Sequence, residues 1–213
     1  MTRGKPGRFI AENAGLFEIG AAREGSGQRA GGQLQVADPQ DAAARVTETH
    51  FSSSLVPGLH EVLSRLTSRV RVTKPGGRIV MGNWMPNDPT FVSQVLKVSP
   101  AFTPPPPEGF VNPMTWGVES DVVERFGQTG VPQEKISMVK DTFHFKLPDH
   151  GPVEFIDLFR RFYGPTMNAF DSAEKLGKVE ELHSQFVELA KAQNRSENGT
   201  SIPATYLRVT VSI

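Results

Sequence analysis

The chain has 213 residues, which is enough for one medium-sized domain with a buried core. Its 23 Lys and Arg residues balance its 23 Asp and Glu residues, so long-range attraction to nucleic acid or to an anionic membrane is not expected. The absence of cysteine excludes disulfide bonds, thiolate catalysis and cysteine metal sites.

The N-terminus carries Arg3, Lys5 and Arg8, but no apolar run follows these basic residues. This pattern differs from a secretory signal, and no later stretch is long and apolar enough to cross a bilayer. We therefore expect a cytoplasmic protein without nucleic-acid or membrane partners. Asp149-His150 indicates a turn, and no spacing of metal-binding side chains predicts a metal site.

Residues 1–54 are rich in Gly, Ala, Arg and Gln, and their sparse apolar residues follow no helical or strand period. Such a segment buries too little to offset the entropy of ordering it. We expect an irregular N-terminal segment of low order, with at most a short helix over 38–47. The glycine cluster at 24–31 follows no strand, so we interpret it as a linker and not as a nucleotide-binding loop.

The pattern becomes regular from residue 55, where a second region, 55–213, begins. Apolar residues at helical spacing predict a helix over 55–70. Lys74-Pro75-Gly76-Gly77 predicts a tight turn, because Pro fixes φ and Gly accepts positive φ. The apolar run 78–84 predicts a buried strand. Helix, turn and strand in this order form one half of a βαβ unit.

The next segments alternate between helices and strands. Asp88 is expected to cap a helix that starts at Pro89, and Pro104 to Pro107 predict an extended surface segment. A short helix is predicted over 119–126. The alternation of Phe143, Phe145 and Leu147 predicts a strand over 136–147.

The last third of the chain is predicted to hold two helices and a closing strand. Phe155, Phe159 and Phe162 mark the apolar face of the first helix. The second has an apolar face over 176–189, and a loop over 194–203 follows it. The β-branched and aromatic residues of 206–211 predict the closing strand.

The run Val70-Arg71-Val72-Thr73-Lys74-Pro75-Gly76-Gly77-Arg78-Ile79-Val80-Met81-Gly82-Asn83-Trp84 resembles the region around the fifth strand of class I S-adenosylmethionine-dependent methyltransferases. The similarity is greatest to the bacterial group with the ubiquinone/menaquinone-type enzymes. Pro113-Met114-Thr115-Trp116-Gly117, Thr166-Met167-Asn168-Ala169-Phe170 and Ser201-Ile202-Pro203-Ala204-Thr205 also resemble that group. The resemblance covers roughly the last 150 residues.

The resemblance implies an α/β fold, namely the C-terminal part of a Rossmann-like sheet with flanking helices. In that family the sheet order is 3-2-1-4-5-7-6, with strand 7 antiparallel. Strand 5 would be 78–84, strand 6 would be 136–147 and strand 7 would be 206–211. The segment 86–131 and the helices of 152–193 would form a lid. Strands 1 to 4 are expected to be missing or degenerate, so strand 78–83 would lack a neighbour on one side. Either residues 1–54 fold back over that edge or the chain self-associates through it, and the weak β-pattern of residues 1–54 favours self-association.

The resemblance also implies methyl transfer from S-adenosylmethionine to a small-molecule acceptor. The family holds this cofactor with a glycine-rich loop and acidic residues upstream of strand 5. We find no such motif, carry over no cofactor-binding residue and identify no catalytic residue. Cofactor binding, and with it activity, is expected to be impaired.

Four residues are candidates for the acceptor pocket: Asn83, Trp84, Trp116 and Tyr163. Asn83 and Trp84 follow the end of a parallel strand, where α/β proteins bind ligands. Each candidate also has a structural interpretation, which is core or lid packing for the tryptophans and a local turn or loop hydrogen bond for the other two. His144 alternates with phenylalanines, so we expect it to be exposed and not a catalytic base.

Three functional hypotheses remain open. In the first, the family's activity is retained through an unrecognised mode of cofactor binding. In the second, the chain is a catalytically inactive, truncated relative that binds a ligand or another protein. The change of composition near 55–70 would also fit a reading-frame disruption in the gene.

Overall fold

The computed structural model describes residues 46–51 and 59–213, with side chains from Val62 onward. The chain divides into two compact units. The first unit comprises Trp84–Glu108 and Lys140–Tyr206 in its described part. The second comprises 46–51, 59–83, Gly109–Val139 and Leu207–Ile213.

Four strands and six α-helices follow one another along the described chain. The strands are β1 (Val46–Phe51), β2 (Thr73–Trp84), β3 (Ile136–Leu147) and β4 (Thr200–Ser212). The helices are α1 (Leu59–Val72), α2 (Phe91–Val98), α3 (Glu119–Gly127), α4 (Pro152–Phe162), α5 (Gly164–Lys175) and α6 (Val179–Gln193). Short 3₁₀ turns occur at Ser99–Ala101, Pro113–Gly117 and Gln133–Lys135.

The strands form one sheet in the order β1-β2-β4-β3. β1 runs parallel to β2. β4 runs antiparallel to β2, because the amide of Gly76 donates to the carbonyl of Ile213 and the amide of Ile213 donates to the carbonyl of Gly77. The expected α/β class is confirmed, as is the position of the closing strand between 78–84 and 136–147.

The segment Lys74-Pro75-Gly76-Gly77, predicted as a tight turn before the strand, lies inside β2. Val46 pairs with Thr73, but Glu48 pairs with Arg78, so the register shifts between these two pairs. Residues 74–77 form a bulge within β2, and Gly76 has a φ of 79° there. The positive φ expected of a glycine in this segment is confirmed, but the predicted tight turn is wrong, because residues 74–77 belong to the strand.

The expectation of irregular structure is wrong at Val46–Phe51, which form β1. The helix expected over 38–47 is wrong at residues 46 and 47, and its remainder lies outside the described residues. Of the two outcomes for the edge of strand 78–83, the less favoured one is observed, because β1 covers that edge by pairing with β2 from Arg78 to Met81. A short segment with few apolar residues gives little periodic signal, but pairing with β2 satisfies its backbone groups.

The first unit has a core rich in phenylalanine. Phe91, Phe145, Phe155 and Phe159 are buried, with ring centroids 4.7–5.8 Å apart in the contacting pairs. Helices α4, α5 and α6 pack against one another around this core. Tilted and edge-to-face aromatic pairs add to the free energy gained by burial, by about 0.5–1.5 kcal/mol per pair.

Several finer predictions for the first unit were wrong. Phe162 is 41% exposed although the pattern placed it on the core face, and Leu176 is 59% exposed at the end of α5. The helix α5 was not predicted. α2 begins at Phe91 with Thr90 as its N-cap, while the Asp88 carboxylate accepts hydrogen bonds from the Thr90 amide and hydroxyl. The closing strand starts at Thr200, inside the expected loop.

The second unit buries one face of each of its helices. Val62 and Leu66 of α1 are buried, as are Val122 and Phe126 of α3. Its strand residues contribute a further buried set: Ile79, Met81, Leu207, Val209 and Val211. Among the residues that the structure describes, no helix has the length and apolar character needed to cross a membrane.

Candidate functional site

Asn83 and Trp84 end β2 and are neighbours on a strand, so their side chains point to opposite faces. Asn83 is only 3% exposed, and neither its amide nitrogen nor its side-chain oxygen has a hydrogen-bond partner within the described residues. Buried amides normally have partners, because an unpaired polar group is costly to remove from water. Asn83 therefore retains an unused donor and an unused acceptor at the carboxyl end of β2.

Two of the four pocket candidates, Trp84 and Tyr163, contact each other. The indole N–H of Trp84 donates a hydrogen bond to the Tyr163 hydroxyl. Trp84 also lies 6.1 Å, between ring centroids, from both Phe145 and Tyr206. Tyr163 packs on Phe159 at 5.2 Å. We call this group of five aromatic residues of the first unit the aromatic cluster.

The position of Tyr163 is fixed by the junction of two helices. Its amide donates to the carbonyl of Phe159, which ends α4, and its carbonyl accepts from the amide of Met167 in α5. The buried Thr166 hydroxyl lies 2.5 Å from the Phe159 carbonyl oxygen and 2.8 Å from that of Tyr163. Gly164-Pro165 starts α5 directly afterwards, so the chain turns sharply at the tyrosine.

Burial raises the pKa of the Tyr163 hydroxyl above its ordinary value, and the hydrogen bond from Trp84 opposes this only in part. The residue as a whole is half-buried, so it is the hydroxyl end that lies away from water. Tyr163 is therefore a neutral hydrogen-bonding group near pH 7 and a poor general base.

Trp116 lies in the other unit and is buried in the Pro113–Gly117 turn. The guanidinium of Arg125 stacks on its ring, 4.5 Å from the centroid. Arg125 Nη2 donates to the Thr115 hydroxyl at 2.6 Å and lies 3.7 Å from Asp121 Oδ2. Arg125 Nη1 is buried without a hydrogen-bond partner in the described part of the chain.

Burial lowers the pKa of Arg125, and the carboxylates of Asp121 and Glu124 oppose that shift. The guanidinium nevertheless remains charged at neutral pH. Sequence reasoning missed this residue, although a signal exists. Arg125 stands between Val122 and Phe126 on the helix, next to the apolar stripe, where an arginine can be buried.

Two other features have a structural explanation. His144 is exposed on β3, as predicted. A groove lies beside Pro89 and Pro203, and two of its polar side chains are already hydrogen-bonded: Gln193 donates to the Pro89 carbonyl, and the Thr90 hydroxyl oxygen accepts from the Thr205 amide. No group of three or more metal-binding side chains occurs in the part of the chain that the structure describes.

No protein-family model matches the chain. Three uncharacterized mycobacterial proteins are similar to it: Mb1438c of Mycobacterium bovis, and MT1447 and Rv1403c of Mycobacterium tuberculosis strains CDC 1551 and H37Rv. Each is 31% identical over 124 residues, which make up 57% of this chain and 42% of the relative. The chain thus spans less than half the length of the relatives that it matches, and their names describe no activity, substrate or partner.

Proposed function

We propose that residues 46–213 form the acceptor-side half of a class I S-adenosylmethionine-dependent methyltransferase domain, whose acceptor is a small molecule. The observation that carries this proposal is the strand order β1-β2-β4-β3, with the last strand of the chain antiparallel between β2 and β3. The resembled family has the order 4-5-7-6 over its last four sheet positions. The motif around Lys74-Pro75-Gly76-Gly77 and the strand order therefore support the same family independently.

The position of the pocket candidates also supports the proposal. In open α/β sheets, ligands bind beyond the carboxyl ends of parallel strands. β2 ends at Asn83 and Trp84, and Trp84 belongs to the aromatic cluster with Tyr163. An apolar wall with a few polar groups is typical of a small-molecule pocket. The acceptor would pack on the aromatic rings, and the neutral Tyr163 hydroxyl would orient it by a hydrogen bond.

Orientation is the main contribution that these residues would make to methyl transfer. Holding a nucleophile in line with the carbon that it attacks can supply a large share of the rate without a general base. The raised pKa of Tyr163 fits this role, because a protonated hydroxyl positions a ligand but removes no proton.

The described residues do not fit the cofactor. No two glycines between residues 46 and 213 are separated by a single residue, so that region lacks the Gly-x-Gly loop by which the family's backbone approaches S-adenosylmethionine. The glycine cluster at 24–31 lies outside the described residues. We therefore assign no reaction step to the cofactor and propose that methyl transfer by this chain is impaired.

The coding DNA tests the proposal directly. Translation of the other two reading frames upstream of the Val70 codon should recover a strand followed by Gly-x-Gly-x-Gly, as the family's first half requires. Recovery of that motif would support both the family assignment and a disruption of the frame. If all three frames lack the motif and the purified chain also binds no aromatic acceptor, the assignment fails.

A second candidate is a binding module without catalysis, which the missing glycine loop favours. In this case the aromatic cluster binds a neutral aromatic ligand and the ligand is released unchanged. Naphthol is a suitable probe, because it offers a flat ring and one hydroxyl. Quenching of tryptophan emission by naphthol, without transfer of labelled methyl from S-adenosylmethionine to it, would favour the binding module. Labelled product would favour the enzyme.

A further inference from the structure

Arg125 is unusual among the described side chains because it alone is both charged and buried. Its side chain is 8% exposed, and it lies on α3 beside the Pro113–Gly117 turn. A buried guanidinium normally has acceptors for most of its N–H groups. Here the acceptors are few, and this makes the residue a candidate for binding a ligand.

The contacts of the guanidinium leave one end of its fork unused. Nη2 donates to the Thr115 hydroxyl at 2.6 Å, but Nη1 has no partner. Asp121 Oδ2 lies 3.7 Å from Nη2, beyond hydrogen-bond distance, so this carboxylate does not complete the fork. The Trp116 ring covers one face of the guanidinium and holds its plane.

We propose that Arg125 and Trp116 form a binding site for a carboxylate group of a small ligand. A carboxylate is planar and accepts two parallel N–H bonds, so it matches Nη1 and Nη2 together. It would replace the Thr115 hydroxyl, a neutral acceptor, with a charged one that binds more strongly. The Thr115 hydroxyl would keep its own bond to the Asn112 carbonyl, at 2.7 Å.

Two neighbouring carboxylates oppose anion binding at this site. The carboxylates of Asp121 and Glu124 act on the guanidinium, so they would also repel an incoming anion. The site is independent of methyl transfer, since it requires neither S-adenosylmethionine nor the aromatic cluster of the first unit.

The experiment uses the two tryptophans as reporters. The full chain is labelled with 5-fluorotryptophan, and its two ¹⁹F resonances are assigned with Trp84→Phe. Sodium acetate is titrated against sodium chloride at equal ionic strength. We expect a saturable shift of the Trp116 resonance with acetate and none with chloride. Arg125→Lys keeps the charge but loses the fork, so its acetate affinity should fall by about tenfold or more.

Arg160→Lys is the matched control, because Arg160 also stacks on an aromatic ring, at 4.7 Å from Phe170, but is exposed. It should leave the acetate affinity unchanged. A shift that is absent, that chloride reproduces, or that persists with equal affinity in Arg125→Lys overturns the proposal.

Asp121→Asn decides the question if Arg125→Lys does not fold. This substitution removes the neighbouring negative charge and keeps the shape of the side chain. Acetate should then bind severalfold more tightly, because the repulsion is removed. Unchanged or weaker binding by the folded variant would mean that acetate does not bind at Arg125, and the proposal would fail.

Discussion

Phe145 on β3 contacts four aromatic rings, those of Trp84, Phe143, Phe155 and Phe159. It is 3% exposed. Phe145→Ala should lower the free energy of unfolding by about 3–5 kcal/mol, since it leaves a cavity in a packed core. Phe162→Ala is the control, and it should cost much less because that ring is 41% exposed. Urea unfolding followed by circular dichroism measures both. Equal losses would mean that the core does not centre on Phe145.

Tyr163 has a raised pKa because its hydroxyl is buried. The folded state therefore keeps a proton that the unfolded state loses above pH of about 10. This contribution to stability is fully present below that pH and is lost as the pH rises further. The chain has two tyrosines, so an ultraviolet titration can resolve them. Tyr163→Phe should remove the component that ionises at high pH. If that component remains, the hydroxyl is not buried.

The candidate pocket shows how far single residues can be interpreted from sequence. The position of Trp84 at a strand end predicts a pocket residue, and the structure brings it into hydrogen-bond contact with a second candidate, Tyr163. Trp116 belongs to the other unit and packs with Arg125. Arg125 was missed because charge alone predicts exposure, and only the fold places its guanidinium over the buried ring of Trp116.

The start of β4 lies close to the end of β3, with Gly199 at the contact. Gly199 has a φ of 94°, and a Cβ there would lie 2.7 Å from the Leu147 carbonyl oxygen. Gly199→Ala should destabilise the fold by about 2–4 kcal/mol, through backbone strain and a clash with rigid backbone. Gly109→Ala shares a positive φ of 78° but meets nothing within 4 Å, so it should cost only about 1–2 kcal/mol.

The difference in thermal stability between Gly199→Ala and Gly109→Ala measures the steric clash at Gly199, because the backbone strain of a positive φ is common to both variants. Similar losses of stability would indicate that β3 and β4 can separate at this end without cost.

β1 is a strand that the sequence pattern did not predict. Its parallel pairing from Glu48 to Phe51 occupies the backbone groups of β2 from Arg78 to Met81. Removing β1 should leave an apolar edge that pairs with another chain. We expect a variant lacking residues 1–51 to self-associate more strongly than one lacking residues 1–45, which keeps β1.

Light scattering coupled to size-exclusion chromatography compares the two truncated chains over a range of concentrations. Because they differ only by β1, a difference in mass reports on the β2 edge. Identical masses at every concentration would show that β1 does not protect that edge.

The whole molecule is expected to bind S-adenosylmethionine weakly or not at all. The family binds this cofactor through strands and a glycine-rich loop that the described residues lack. Calorimetric titration should therefore show no binding at micromolar ligand. A dissociation constant near 1 μM corresponds to about 8 kcal/mol, which a surface without that loop is not expected to provide. S-adenosylhomocysteine serves as the parallel ligand, and micromolar binding of either one would contradict the proposed impairment.

The sequence by itself determined the elements with strong local patterns. Alternation along β3 predicted its bounds, because side chains on a strand face opposite sides at every step. The apolar spacing of α1, α4 and α6 predicted these helices, and the Pro-Gly-Gly sequence predicted the positive φ at Gly76. These signals depend only on residues close in the chain, so no knowledge of the fold was needed.

Only the tertiary structure decided the features that depend on distant partners. β1 is a strand because β2 supplies its hydrogen bonds, and Phe162 is exposed because its helix has no core on that side. The side-chain amide of Asn83 and the Nη1 group of Arg125 are buried without hydrogen-bond partners. This state depends on the residues packed around them, and no local sequence pattern predicts it. Burial, hydrogen-bond satisfaction and strand pairing are properties of residues far apart in sequence, and the fold alone brings those residues together.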